Sequence, residues 1–252
     1  MIRGTLNALM ACVVSFVLCA VAYPAAVYVV GHTLFPHQAN GSLIERDGKT
    51  IGSELIAQPF ASDKYFSPRP SAAGANGYSA DAASGSNLAT TNPALRDRIA
   101  IESARQILRR TSDAALKANL DRLDALQADL KTKGEIKEKT KADDDAIAKL
   151  TEDATAAGSA TNDRAAELGK KADDLVPVDL VTTSGSGLDP EISPEAAKYQ
   201  AARVASARGV PVDRVVKLIE AHVNRSGAIL GAPPRVNVLQ LNLDLDRETA
   251  AK

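Results

Sequence analysis

The chain has no tryptophan, and its four phenylalanines and five tyrosines make only 4% of 252 residues aromatic. A buried core must therefore be aliphatic, built from Ala, Val, Leu and Ile. Cysteine is nearly absent too. Cys12 and Cys19 are the only two, and both lie in one apolar run. No disulfide supports the rest of the chain, and no thiolate metal site forms there. Seven residues apart, the two cysteines share a helix face and read as small apolar side chains. Neither sign of charge dominates: 30 basic residues meet 31 acidic ones, for a net charge of -1. That balance argues against the basic face of a nucleic-acid-binding protein. The sequence has no G-x-x-x-x-G-K-[ST] loop for a nucleotide phosphate. His32, His37 and His222 are scattered, which leaves an exported hydrolase without a positioned base.

What the sequence has instead is a charge-free run from Gly4 to Gly31. As a helix it reaches roughly 40 Å, enough to cross a hydrocarbon core of about 30 Å with tilt. Pro24 sits late in it, as a kink or as a mark of the far interface. Tyr23 and Tyr28 suit that interface. Ala20-Val21-Ala22 resembles a signal-peptide cleavage site, but the apolar run continues to Val30, longer than a signal h-region. Leu18 stands before Cys19 where a lipoprotein site wants a small residue. The run is therefore read as an uncleaved anchor. Arg3 precedes it and no basic residue follows until Arg46. The positive-inside tendency then places the N-terminus in the cytoplasm and residues 32–252 outside it.

After the polar exit His32–Asn40, Asp47-Gly48 is a hairpin signal between two short β-like runs, the second Lys49–Ala57. Gly52 inside that run predicts a bulge or a close backbone approach. Phe60, Tyr65 and Phe66 cluster ahead of Pro68-Arg69-Pro70. The two prolines hold the chain extended around Arg69, a guanidinium fixed for a carboxylate or a partner, or else a solvated surface side chain. Ser71–Pro93 is rich in Gly, Ser, Ala and Asn and lacks apolar periodicity. It reads as a long loop with many side-chain-to-backbone bonds. Within it, Ser84-Gly85-Ser86-Asn87 offers backbone N–H groups, as turns generally do.

From Ala94 the composition turns helical. Leu116, Leu120, Leu123, Leu126 and Leu130 form one stripe at helical spacing. The expectation is one long amphipathic helix up to Gly134, then a weaker return helix or a flexible arm. Leu175–Ser186 reads as a β-like run that breaks into the turn Ser184-Gly185-Ser186-Gly187, followed by Asp189-Pro190. Asp189 reads first as a turn or cap residue and second as a carboxylate for chemistry. Ser193 and Pro194 open a helix as N-cap and N1, ending at Gly209. Its face of Ala197, Ala201, Val204 and Ala205 is small and close-packing. A second helix starts at Pro211, with Val212, Val215, Val216 and Ile219 inward. Leu239, Leu241, Leu243 and Leu245 alternate with polar residues and read as a half-buried strand. The fold class is α+β.

Several of these segments resemble one family: the C subunit of the bacterial Kdp potassium-transporting ATPase. They are the N-terminal span, GSLIERDGKTIGSELIAQPF, YFSPRPSA, SGSNLATTNP, VPVDLVTTSGSGLDPEISPEAAKYQAARVASARG and PRVNVLQLNLDLD. They occur in the family's order and cover roughly residues 1–100 and 175–246. SGSGLDPEISPEAA is the most specific. Glu191 stands where the family commonly has His. The stretch 105–174 is longer than the family's usual connection and reads as a helical insertion.

The resemblance implies a non-catalytic accessory subunit at the cell inner membrane, with a periplasmic C-terminal domain. Its partners would be a channel-like potassium-translocating subunit, a P-type ATPase catalytic subunit and a small single-span subunit, with membrane lipid around the span. ATP and K+ would act at the level of the complex, and the subunit is described as raising the ATP affinity of its partner. Arg69, Ser84, Gly85, Ser86, Asn87, Ser184, Gly185, Ser186, Gly187 and Asp189 are the candidate partner- or nucleotide-related residues. The other reading is a membrane-tethered extracytoplasmic binding or sensor module, with Ser71–Pro93 as its ligand loop.

Overall fold

A computed structural model describes residues 2–46, 48–134, 140–172 and 175–250. The chain divides into two compact units, Met1–Leu55 and Ile56–Lys252.

The first unit begins with a continuous helix, Ile2–Leu34. It comprises α1 (Ile2–Phe16), a π-helical turn at Val17–Ala22 and α2 (Tyr23–Leu34). Proline lacks an N–H and its ring crowds the carbonyl four residues back, and the wide turn falls just ahead of Pro24. None of the residues in these helices is buried, and Leu9, Phe16, Tyr23 and Val29 stand exposed. At 33 residues and this apolarity, the helix has the length and composition of a membrane span.

A short α3 (Pro36–Ala39) leads to an antiparallel hairpin of β1 (Leu43–Arg46) and β2 (Lys49–Ser53). Asp47 lies outside the described residues. Gly48 has φ +74, which a hairpin turn demands. Ile44 faces Gly52 while Glu45 faces Thr50, so Ile51 is the extra residue of a bulge beside the predicted Gly52.

The second unit holds six helices among its described residues: α4 (Pro93–Thr111), α5 (Ala114–Gly134), α6 (Lys141–Ala172), α7 (Pro194–Arg208), α8 (Val212–Ala221) and α9 (Val238–Ala250). A two-stranded antiparallel sheet pairs β3 (Glu191–Ile192) with β4 (Val236–Asn237). The main core gathers Phe66, Leu180, the small face of α7, Val215 and Ile219 of α8, and Val238, Leu241 and Leu245 of α9. It is aliphatic apart from Phe66 and the flanking Phe60 and Tyr199. Ser193 caps α7, its hydroxyl accepting from Ala196 N at 3.1 Å, and Gly209 closes it at φ +66.

The Ala94–Gly134 segment differs from the expectation of one helix. Ser112 adopts a left-handed conformation (φ +52) that ends α4. Asp113 then opens α5, its carboxylate accepting from Leu116 N at 2.8 Å. The return helix α6 is the longest in the unit, not a weak arm. α5 and α6 lie antiparallel, with Asn119 Nδ2 donating to Ala160 O. Leu116, Leu120 and Leu123 of the stripe are buried, while Leu126 and Leu130 are half-buried. Leu116, Leu120 and Ala165 pack on Ala104 of α4 as a second core. Arg164 clamps this corner, donating from Nη2 to Asp113 Oδ2 at 2.6 Å and from Nε to Oδ1 at 3.2 Å. That pairing, with the Leu116 N–H, holds the Asp113 carboxyl at about 2.

Three further expectations are corrected. The run Leu175–Ser186 forms no strand: it makes a 3-10 turn at Val178–Leu180. Pro177 offers no ladder donor, and Asp179 is drawn off to accept from Ser193 N at 2.6 Å. The leucines 239–245 lie on a helix, not a strand. Asn237 Oδ1 accepts from Gln240 N at 3.1 Å as an N-cap, and Val238, Leu241, Asn242 and Leu245 are buried at helical spacing. Val212 is exposed, since the first turn of α8 points away from the core that Val215 and Ile219 enter.

Candidate functional site: two crossing Gly/Ser turns

The two Gly/Ser turns, a hundred residues apart in sequence, cross backbone to backbone. A Cβ placed on Gly85 would lie 2.9 Å from Gly185 O, and one on Gly187 would lie 2.5 Å from Ser84 O. Neither crossing point has room for a side chain. Gly187 also has φ +71, the left-handed region that favours glycine. Ser71 ties the loop to the second turn. Its hydroxyl donates to Gly187 O at 2.6 Å and accepts from Ala73 N and Tyr78 N, so its one donor and both acceptor positions are used.

Arg69 fixes the crossing from the side. The guanidinium of Arg69, at a bend between Pro68 and Pro70, reaches the second turn. Nη2 donates to Thr183 O at 3.1 Å and Nε to Thr182 O at 3.4 Å, while Nη1 pairs with Asp189 Oδ2 at 3.3 Å. Asp189 uses its other oxygen to accept from Glu191 N at 3.0 Å. Arg69 is thus aimed at a carboxylate, and Asp189 serves as turn stabiliser and ion-pair partner together. Tyr78 closes the back of Arg69, its hydroxyl donating to Arg69 O at 2.8 Å. Burial, reinforced by the nearby Glu102 carboxylate, pushes that phenol up to about 12.

The remaining candidates divide by exposure. Ser184 is buried, its hydroxyl 3.5 Å from that of Ser186. Ser186 Oγ accepts from Leu188 N, and Ser84 Oγ donates to Gly85 O. Gly185 and Asn87 are exposed, Asn87 with φ +52. The structure therefore brings the two turns together, with Arg69 and Asp189 bonded to the second of them and its flanking residues. The exposed rim of the two turns is Gly185, Ser186 and Asn87. These serines have no adjacent base. His222 spends Nδ1 on Leu218 O and Nε2 on Asp244 Oδ2, both at 2.9 Å. Glu191, where the resemblance expects His, accepts from Arg235 Nε at 2.9 Å across β3 and β4.

Sequence reasoning missed what holds Tyr65–Arg69 in place. The segment belongs to no sheet, yet its peptides are paired as if in one, by side-chain amides. Asn242 on α9 accepts from Phe66 N and donates to Phe66 O, both at 2.9 Å. Gln200 on α7 accepts from Ser67 N at 2.9 Å and donates to Ser67 O at 3.1 Å. Arg203, one turn on, donates to Tyr65 O, to Asp63 O and to Gln200. Burial, with Arg109 close by, lowers the Arg203 guanidinium to about 10. Gln200 and Asn242 are polar residues at core-facing helical positions, and that signal was present in the sequence.

The family described as KdpC, K+-transporting ATPase, c chain, matches over residues 5–133 and 122–247, two stretches that overlap within α5. The potassium-transporting ATPase KdpC subunit of Rhodopseudomonas palustris (strain BisB5) is 40% identical over 260 residues, covering 99% of each chain. Those of Myxococcus xanthus and Methylococcus capsulatus are 42% and 41% identical. The first covers 96% of this chain and 87% of the relative, the second 98% of both. On the family match and on identity along nearly the whole length, the chain belongs to the KdpC family.

Proposed function

We propose that residues 56–250 form a docking head that rests on the potassium-translocating partner of a K+-transporting ATPase, while Ile2–Leu34 anchors the chain beside it. By family the chain is an accessory subunit of the potassium uptake complex and not its catalytic subunit. One observation carries the docking reading: the candidate residues are used to rigidify a crossing, with hydroxyls and guanidinium committed to backbone. Arg69, Ser71 and Gly187 brace a fixed surface, as a binding face that must not deform requires. The Ser71–Pro93 loop spends its anchoring groups on this brace, which favours docking over a ligand-sensing loop.

In this reading the N-terminus is cytoplasmic, supported by Arg3, and the head lies on the periplasmic side of the inner membrane. The partners are a channel-like potassium-translocating subunit, a P-type ATPase catalytic subunit and a small single-span subunit. K+ and ATP act at sites on those partners. Any rise in ATP affinity that this chain confers runs through subunit contacts, consistent with the lack of a phosphate-binding loop. Residues 105–174 are an add-on to the family's common body.

Two measurements test the proposal. Asp81→Cys, in the exposed loop, should react with a membrane-impermeant maleimide in intact spheroplasts, and a reaction seen only after lysis would reverse the orientation. The complex purified without this chain should lose K+-stimulated ATP hydrolysis, or show a raised KM for ATP. Unchanged hydrolysis and KM would refute an accessory role in turnover.

A further inference from the structure

The head carries a second built feature, on one face of α4. Arg98, Glu102, Arg105 and Arg109 recur at i, i+4, i+7 and i+11 and form one face of α4. That face lines an open cleft of about 440 Å³. The rest of the lining comes from Pro59–Ala61, Ser67, Pro68, Pro70, Ser71 and Tyr78, and Phe60, Pro68 and Leu108 give it apolar surface. The four charges are not equivalent. Arg105 is already matched, donating to Glu102 Oε1 at 2.9 Å and to Asp124 Oδ1 at 2.6 Å. Arg98 and Arg109 are not. Arg98 donates to Ser71 O at 3.4 Å and Arg109 to Ser67 Oγ at 2.7 Å, and among the described residues neither has an acidic partner within ion-pair distance.

Arg109 also stands close to the Arg203 guanidinium. It lines a second cleft with Arg110 and Arg203, beside the exposed Asp63. Its proximity is one cause of the lowered Arg203 guanidinium, so an arriving carboxylate would relieve a repulsion already present. The Cα atoms of these two arginines, Arg98 and Arg109, lie eleven residues apart on one helix, roughly 16 Å at 1.5 Å per residue, and their guanidinia reach Ser71 O and Ser67 Oγ, four residues apart on the facing segment. A compact anion cannot reach both. An extended peptide with acidic residues four positions apart, roughly 13 Å between their Cα atoms at 3.3 Å per residue, can do so through its two side chains.

We infer that this cleft receives an extended segment of a partner polypeptide with an acidic residue near each end and apolar residues between. Arg98 and Arg109 take the carboxylates, and Phe60, Pro68 and Leu108 take the apolar side chains. Guanidinium forks suit planar carboxylates, and a fixed pair of them sets the register. The inference rests on the reading that the chain works inside a multi-subunit complex, and the test keeps the two apart.

The probe is fluorescein-labelled Glu-Val-Leu-Val-Glu-amide, titrated into the full-length chain in detergent micelles and followed by anisotropy. Binding should weaken at least tenfold in the double variant Arg98→Glu/Arg109→Glu, and should fall as salt is raised from 50 to 300 mM. It should stay unchanged in Arg247→Glu, which reverses an exposed charge on α9. Circular dichroism establishes that the variants fold. The milder Arg98→Gln/Arg109→Gln pair covers the case in which the charge reversal does not. Equal binding by the double variants, or equal binding of a Lys-Val-Leu-Val-Lys probe, would overturn the proposal. So would full displacement by 5 mM inorganic phosphate, or binding of phosphatidylglycerol but not phosphatidylcholine vesicles that Arg98 and Arg109 control. Those two results would make the cleft a phosphate or lipid-headgroup site. In cells, the wild-type tagged chain should bring down its partner subunits and the double variant should bring down several-fold less. If wild type and variant both come down alone while the peptide result holds, the complex reading fails and the groove stands.

Discussion

Gly187→Ala tests the crossing of the two turns, and the structure separates its cost into two parts. The first is conformational: φ +71 is a left-handed geometry that costs an L-residue about 1–2 kcal/mol. The second is steric: the new Cβ would lie 2.5 Å from Ser84 O and 2.9 Å from Ala73 N, both backbone atoms that no rotamer change moves. Overpacking of this kind costs about 1–3 kcal/mol. Two other glycines isolate the parts. Gly209 has φ +66 and nothing within 4 Å of its Cβ position, so Gly209→Ala carries the conformational cost alone. At Gly85 the φ is ordinary while the Cβ would meet Gly185 O at 2.9 Å, so Gly85→Ala carries the steric cost alone.

Gly187→Ala should therefore destabilise by about 2–5 kcal/mol, close to the sum of the other two. At roughly 2–4 °C per kcal/mol for a unit of this size, its melting point should fall about one and a half to four times as far as that of Gly209→Ala. Thermal unfolding of the full chain in detergent, followed by far-ultraviolet circular dichroism, reads all three. A Gly187→Ala loss no larger than that of Gly209→Ala would mean the turns do not cross as described.

Four further outcomes follow from the packing. Asn242→Leu strands the buried N–H and C=O of Phe66 and should cost about 2–5 kcal/mol in denaturant unfolding, while Asn242→Asp, which keeps the acceptor, should cost less. Leu241→Ala should cost about 2–5 kcal/mol and Leu243→Ala under about 1.5 kcal/mol, and equal losses would restore the strand reading of residues 239–245. Asp113→Asn should lower the melting point at neutral pH. The Asp113 carboxyl is held down at about 2 in the folded chain, so its stabilisation is present above its ordinary value near 3.8 and is lost as pH falls towards 2. Mutant and wild-type melting curves should therefore converge between pH 4 and 2. Removing residues 125–154 and joining α5 to α6 by a short turn should leave assembly of the complex intact, because Leu116, Leu120 and Ala165 still cover Ala104.

Much of the fold was legible because local chemistry and tertiary packing agree. The charge-free run, the bulge near Gly52, the Ser193 cap and Gly209 stop, and the small face of α7 all appear where spacing and capping put them. The failures share one cause: short segments whose pattern fits two structures. Leu239–Leu245 alternates perfectly, yet Val238, Leu241, Asn242 and Leu245 also fit a helix, and the Asn237 cap decides it. Leu175–Ser186 has β-branched residues, but Asp179 is committed to the α7 cap. The break at Ser112 leaves no signal stronger than a Ser-Asp pair. At the site, turn chemistry together with the family resemblance singles out both Gly/Ser turns, while the sequence leaves Arg69 open between a carboxylate, a partner and solvent. Nothing in the sequence shows that Ser84–Asn87 and Ser184–Gly187 touch, because that contact is made by two backbones.

The central claim is that this chain works as an accessory subunit of a potassium-transporting ATPase. A mild-detergent pull-down of the tagged full-length chain from potassium-starved cells tests it most directly. The account predicts co-purification of a P-type ATPase and a channel-like membrane protein, retained through size-exclusion chromatography as one peak. A chain that emerges alone, from cells shown to contain both proteins, would contradict it.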